Sequence, residues 1–424
     1  MKIIIKNSTC IDPRSSLHDI RDIVIDNGII KELGKDLSVN ADTVIDGTGL
    51  VCVPGLIDVH VHFREPGAEH KETIASGIAA AREGGFVACV PMPNTNPPCD
   101  TRSVVEFILN EAARCGFTLF PCGTMTKGRA GKEIAEMADL KQAGVVCVSD
   151  DGSGVQNALL MRRVMEYASM LGLPCAIHAE DNDLSMHGVM HEGSMSTRFG
   201  LKGIPSVSEC TVIMRDIELA RLTGAPVHFQ HISAKESVAA IRKAKRDGLP
   251  VTCEATPHHL VLTDASLATY DTTFKMNPPL RAQDDVDAVC EALSDGTIDM
   301  IATDHAPHHS VEKDVEITNA PFGCIGLETS LGVILDRFVK TKRITLERLV
   351  ELMNINPARF VNKPAFGALQ KGNEAHLTIV DLNKEWVVDP DRFKSKGRNC
   401  PFTGATLTGK ARYTITRDAV HEIK

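Results

Sequence analysis

The chain reads as an α/β protein, a (β/α)8 TIM-type barrel with a small β-sandwich domain built from both termini. Three patterns predict this. Through the middle of the chain, short apolar runs alternate with helix-like stretches until eight strands are counted. Several helix-like stretches end in Gly and lead straight into the next apolar run, as expected for C-capped αβ units. The two ends have a different texture, short alternating strands separated by turns.

From Met1 to about Val53 the runs IIIKN, DIVIDNGIIKEL, TVIDGTG and LVCVPG read as short antiparallel strands, and after about Ala365 the same texture returns in FGALQKGNEAHLTIVDLNKEWVV and ATLTGKARYTITRDAV. Residues 1–53 plus 365–424 are therefore expected to meet in one β-domain, with 54–364 as the barrel. Within the barrel, GLIDVHV precedes KETIASGIAAAREG, GFVACVPM precedes TRSVVEFILNEAARCG, and FTLFPCG precedes GKEIAEMADLKQAG. VVCVS then leads to ALLMRRVMEYASMLG, PCAIHA to TVIMRDIELARLTG, and VHFQHI to ESVAAIRKAKRDG. PVTCEAT and DMIATDH follow, the latter before LETSLGVILDRFVK. No G-x-G-x-x-G follows the first strand, so a dinucleotide site has no support. The stretch from Asp181 to Ser208, rich in Gly, Ser and Met, is expected to be an active-site loop or flap.

A chain of 424 residues suits a barrel with an attached module. A net charge of −9 and 4% aromatic residues argue against a nucleic-acid surface and leave a small-molecule substrate as the expectation. The N-terminal MKIIIKNSTCIDPR is too briefly apolar for a signal-peptide core, and no run approaches a membrane span, so a cytoplasmic protein is expected. The 13 cysteines include no CxxC pair, and several lie inside apolar runs, where they read as small buried hydrophobes.

Chemistry concentrates at strand ends. His60 and His62 close the run GLIDVHVHFREPG, and residues i and i+2 of a strand share a face, so both imidazoles can reach one metal ion. An isolated H-x-H is more often a chance pair on a half-buried strand. Here further candidates recur in the same context: Asp150 and Asp151 after AGVVCVS, His178 after LPCAI, His231 after APVHFQ, and Asp304 after DMIAT. A parallel barrel brings such strand tips around one point. Neutral imidazoles and an aspartate that bridges two ions would make a hydrolytic metal site, and Asp304 could touch the metal and move the proton of an attacking water to a leaving nitrogen. Asp after a strand is commonly a helix N-cap, a reading that weakens for Asp304 within ATDHAPHH.

The motifs DVHVHFREPG, PMPNTNPP, VSDDG, IHAED, FQHIS, TPHHL, MNPPLR, ATDHAPH and PFGCIGLET, in this order, resemble the amidohydrolase superfamily and within it class I dihydroorotase. The resemblance implies a (β/α)8 barrel with a β-sandwich from both termini, one or two zinc ions, and reversible cyclisation of N-carbamoyl-L-aspartate to L-dihydroorotate in pyrimidine synthesis. It implies His60, His62, Asp151, His178, His231 and Asp304 as metal ligands, with Asp304 also catalytic, and Arg64 and Asn94 holding the substrate carboxylate with help from His308. Asn277 and the turn Pro321, Phe322 and Gly323 would bind the ring's amide edge, although Asn before Pro is also a common turn former. An arginine fork independently suits a carboxylate. Many relatives that open cyclic amides bridge their metals with a carboxylated lysine after the fourth strand. VVCVSDDG has none at its tip, so an aspartate must serve, and alignment to the family pattern favours Asp151 over Asp150, the neighbour being an outer acceptor or an N-cap.

Two rivals stand beside this expectation. A dihydropyrimidinase-like or allantoinase-like amidase would share the metals, but uncharged rings would leave the clamp of Arg64, Asn94 and His308 desolvated and unpaired. An inactive scaffold for aspartate transcarbamoylase would lose ligands that this chain keeps; a homodimer, or an active complex with that transcarbamoylase, is compatible with the resemblance. His258 and His259 are expected in the pocket wall, and His187, His191, His305 and His309 in structural or solvated roles. His18, His70, His228, His376 and His421 have no motif support.

Overall fold

The computed structural model describes residues 1–417 and 419–423; Asp418, inside the last expected strand run, and Lys424 lie outside the described residues. Both ends of the chain contribute to one eight-stranded sheet. Its order is Ala419–Glu422, Thr406–Thr416, Leu377–Val387, Val51–Pro54, Lys2–Asp12, Leu17–Asp26 and Ile29–Gly34, with Thr43–Asp46 also paired to Lys2–Asp12. The N- and C-terminal parts meet where Leu377 opposes Pro54 and Ile379 opposes Cys52 in antiparallel register. Alternating residues of these strands, Ile3, Ile5, Ile23, Ile25, Leu377 and Ile379 among them, bury a core of their own.

From Pro54 the chain passes through Gly55 into the first barrel strand, Leu56–Val61. This strand and Phe86–Pro91 are buried along their whole length, which explains why they read as largely apolar runs, broken only by Asp58 and His60, rather than as alternating ones. The parallel ladder forms two arcs. Leu56–Val61, Phe86–Pro91 and Thr118–Leu119 make one; Cys122–Gly123, Cys147–Val148, Cys175–Ile177, Val227–Phe229, Val251–Ala255 and Met300–Ile301 make the other. The third strand is divided at Phe120 and Pro121, where proline cannot donate to a ladder. At the opposite junction the arcs touch through a bridge between Val61 and His305, where the His62 amide donates to His305 O at 2.8 Å. Connecting helices include Ile74–Glu83, capped by Thr73 and Ser76, and Ala158–Met170, capped by Asn157. Gly144 and Gly224 end two others in the left-handed conformation, as the Gly punctuation implied.

The expected flap is more ordered than its composition suggests. Between Asp181 and Ser208 lie the short helices Asn182–Ser185 and Ser194–Phe199, and Met190–His191 pairs with Gly203–Ile204. The cause is a long-range anchor. The buried Arg281 guanidinium donates to Ile204 O at 3.1 Å and Ser233 Oγ at 3.0 Å, lies 3.3 Å from His191 Nδ1, and pairs with Glu209 at 3.4 Å. Met190 packs with Leu267, Met276 and Leu280.

Candidate metal centre and substrate pocket

The strand tips converge. His60 is the last residue but one of its strand and His62 lies just beyond it, Asp151 follows Cys147–Val148, His178 follows Cys175–Ile177, His231 follows Val227–Phe229, and Asp304 follows Met300–Ile301. Two ligand triads result, His60 with His62 and Asp151, and Asp151 with His178 and His231, all buried and sharing Asp151. Asp151 Oδ1 is 3.4 Å from His60 Nε2 and 3.8 Å from His178 Nδ1, while Oδ2 is 3.6 Å from His62 Nε2. Asp304 Oδ1 lies 2.9 Å from His62 Nε2 and 3.5 Å from His60 Nε2. Asp150 points elsewhere, accepting from the Met125 and Thr126 amides at 2.9 and 3.1 Å and from the Thr126 hydroxyl. Arg64, His231 and Asp304 hold φ of 62°, 34° and 48°, a region that side chains other than glycine seldom occupy and that is tolerated where the surroundings over-determine it.

The imidazoles are oriented from behind. His60 Nδ1 is 2.7 Å from Glu254 Oε1, His62 Nδ1 is 2.9 Å from Asn94 Oδ1, and His178 Nε2 is 3.1 Å from Glu180 Oε2. Each partner is an acceptor, so each outer nitrogen carries the proton and leaves the inner lone pair facing the centre. Inside, His60 Nε2 and Asp151 Oδ1 are buried without a hydrogen-bond partner, and His178 Nδ1 faces His231 Nε2 at 2.9 Å. Unpaired buried polar atoms are costly, and a cation among them removes that cost; the donor set fits a divalent metal.

The electrostatics agree. Burial lifts the Asp151 carboxyl, but His60, His62 and His178 hold it well below the usual carboxylate range. Burial opposes charge on His60, yet Glu254, Asp304 and Asp151 raise it well above the ordinary imidazole value, a pull towards positive charge that a bound cation would answer in place of a proton on Nε2. Burial, with His178 and His60 nearby, pushes His231 well down and keeps it a neutral donor. Glu254 and Glu180 are both lowered to about 2, against burial, by the histidines they hold.

Beside the centre, Arg64 donates from Nε to Pro307 O at 3.2 Å and brings Nη2 within 3.4 Å of His308 Nε2. Among the described residues Arg64 forms no ion pair within 4 Å; burial lowers its guanidinium, while Asp304, Asp151, Glu312 and Glu72 act on it from farther off and raise it. His308 donates to Phe322 O at 2.8 Å. Asn94 both holds His62 and donates to Asp151 Oδ2 at 3.2 Å, which ties its carboxamide to the candidate ligands. Asn277 donates to Glu180 Oε2 at 2.7 Å. The turn from Pro321 to Gly323 is braced within the protein: Pro321 O accepts from Lys313 Nζ at 2.8 Å, and the Gly323 amide donates to Lys275 O at 2.9 Å.

Sequence reading passed over Glu180 and Glu254. The signal for Glu254 was an acid inside the apolar run PVTCEAT, which burial forbids without partners. Its second partner, His228 at 2.9 Å, gives that histidine the role it lacked. His309 caps the helix Ser310–Lys313, and His305 Nδ1 accepts from the Gly326 amide at 3.2 Å.

A family model described as dihydro-orotase-like matches residues 49–237. A dihydroorotase of Acetivibrio thermocellus is 46% identical over 421 residues, covering 99% of this chain and 98% of that protein. One of Pelotomaculum thermopropionicum is 48% identical over 415 residues, covering 98% and 97%. Among solved structures, L-hydantoinase (dihydropyrimidinase) from Arthrobacter aurescens superimposes with a TM-score of 0.87 at 26% identity, over 100% of this chain and 96% of the other. A D-hydantoinase reaches 0.88 at 22% identity, over 100% and 95%, a likeness of fold. No helix among the described residues is long and apolar enough to cross a membrane.

Proposed function

The chain belongs to the dihydroorotase family, a cyclic amidohydrolase of pyrimidine synthesis, and from this premise we propose how its residues divide the reversible cyclisation of N-carbamoyl-L-aspartate to L-dihydroorotate. His60, His62, Asp151, His178 and His231, with Asp304 at the edge, would hold one or two zinc ions. A bound zinc supplies Lewis-acid polarisation of the amide carbonyl and a water of lowered pKa. Asp304, with a side chain 12% exposed at the mouth of the centre, accepts the proton of the attacking water and returns it to the departing ring nitrogen. In the biosynthetic direction it takes the proton from the carbamoyl nitrogen.

Arg64 and His308 hold the substrate carboxylate, and Asn94 can add its other N–H to the same group. Asn277 and the turn Pro321, Phe322 and Gly323 form the wall facing the ring's amide edge. The observation that carries this assignment is the Arg64 guanidinium, which makes no close ion pair among the described residues and feels the carboxylates of the shared-aspartate centre only at longer range; an uncharged ring would leave it without a direct anionic partner. We also propose that residues 1–53 plus 365–424 form the smaller domain and 54–364 the catalytic one. A cytoplasmic setting belongs to the same reading and is supported by 13 free cysteines.

Ring opening of dihydroorotate and of dihydrouracil by zinc-loaded protein tests the reading, with Arg64→Ala as control. Turnover confined to dihydroorotate and lost in the variant is the expected result. Preference for dihydrouracil would overturn the carboxylate clamp, and activity with neither substrate until aspartate transcarbamoylase or a second copy of the chain is added would make a partner part of the working enzyme.

A further inference from the structure

We propose that Asn399, in the connection between the terminal-sheet strands Leu377–Val387 and Thr406–Thr416, is a positioning residue for the carboxylate pocket, locking the loop that carries His308 to the turn that carries Gly323. The inference rests on the reading of His308 given above. Asn399 is buried, and its carboxamide is used on both sides. Nδ2 donates to Ala306 O at 3.1 Å and to Gly323 O at 3.0 Å, and Oδ1 accepts from the His308 amide at 3.3 Å. Its own carbonyl accepts from the Ile325 amide at 3.0 Å. One residue thus joins two segments of the long connection that follows Met300–Ile301, one on each side of the short helix Ser310–Lys313.

The two loops run in close contact. The Ala306 amide donates to Cys324 O at 2.8 Å, and a Cβ on Gly323 would lie 2.7 Å from Ala306 Cβ. The His308 ring spans the seam: its backbone sits on one loop, its Nε2 donates to Phe322 O on the other, and Arg64 Nη2 and Lys71 Nζ approach it at 3.4 and 3.5 Å. Ring orientation therefore depends on the separation of the loops. Asn399 sets that separation, because without its amide the carbonyls of Ala306 and Gly323 lose their shared donor group.

The segment holding Asn399 is itself fastened to the barrel. Glu328 accepts from the Lys394 and Ser395 amides at 2.9 and 3.1 Å, and Glu72 accepts from Ser395 Oγ at 2.5 Å and the Lys396 amide at 3.1 Å. Gly397 lets the segment pass close to the loop, since a Cβ there would lie 2.8 Å from Pro307 Cβ. Asparagine fits this post because it alone combines two donors and an acceptor on so short a side chain.

The test is a double-mutant cycle with Asn399→Ala, His308→Ala and both, measuring KM and kcat for dihydroorotate, bound zinc and thermal midpoint on each protein. Asn399→Asp, which keeps the volume and the acceptor but not the paired donors, is read in the same way and serves where the alanine variant does not fold. Asn399→Ala is expected to raise KM about ten-fold with a smaller change in kcat and full zinc content. In the His308→Ala background it should change KM no further. A wild-type KM for the Asn399 variants, or KM effects that multiply in the double variant, would overturn the role of Asn399. A wild-type KM for His308→Ala alone would instead defeat the assignment of His308.

Discussion

His60 owes its inward lone pair to Glu254, whose carboxylate is shared with His228 and buried beyond the reach of solvent. Glu254→Gln keeps the shape and removes the charge that fixes the tautomer. Outer partners of this kind change metal affinity by about 10- to 100-fold, and a weakening of that size is expected in chelator competition. Unchanged affinity would show that the Glu254 charge does not set the His60 tautomer. His308 presents a pH question. Burial, then Arg64, Lys313 and Lys71, lowers its imidazole to about 2. A histidine lowered this far stays neutral throughout the range in which an ordinary one, near ~6.5, changes charge. KM for dihydroorotate should therefore be flat across that range, with the substrate carboxylate drawn by Arg64 rather than by an imidazolium. An inflection near ~6.5 that disappears in His308→Asn would show that the side chain titrates and binds as a cation.

At the scale of elements, the junction at Gly55 couples the terminal sheet to the first barrel strand. A Cβ there would meet Val87 Cγ2 at 2.5 Å and the His376 carbonyl carbon at 2.9 Å, in a place closed by backbone on one side. Gly55→Ala should cost about 1–3 kcal/mol, seen as a lower denaturation midpoint, while kcat per bound metal holds. A midpoint equal to wild type would show that the sheet can move off the barrel freely. The strands were legible because Phe86–Pro91 is apolar throughout and Leu56–Val61 is interrupted only by Asp58 and His60, and the strand-tip rule pointed to His60, His62, Asp151, His178 and His231, which the fold brings into two triads. The order inside 181–208 was not legible. Its anchor, Arg281, lies 77 residues from Ile204 and 90 from His191, and local composition carries no trace of a partner so distant. Glu254 did leave a local signal, an acid inside an apolar run, but its partner His60 lies 194 residues away. Asn94 shows a subtler limit: motif position identified the residue, but its hydrogen bonds to His62 and Asp151 required coordinates.

Across the whole molecule, the metal centre sits at the rim of a scaffold whose cohesion comes from elsewhere. The main core joins Ile11, Val51 and Val53 of the terminal sheet to Leu56, Phe86, Phe229, Ile301 and Phe338 of the barrel region, and none of these is a proposed ligand. The candidate ligands lie at or just past strand ends, so withdrawing the cation leaves the buried strand bodies intact. Chelation should abolish turnover while preserving the far-ultraviolet circular dichroism of the folded chain. The stability should nevertheless fall, for two reasons. The free energy of metal binding to the folded state is lost, and the buried His60 Nε2 and Asp151 Oδ1 are left without partners. Thermal midpoints with and without chelator, followed by zinc readdition, measure both effects at once. Recovery of midpoint and activity together is the expected outcome. Loss of secondary structure on chelation at ambient temperature would show that the centre holds the barrel together, in contradiction to a core that closes without it.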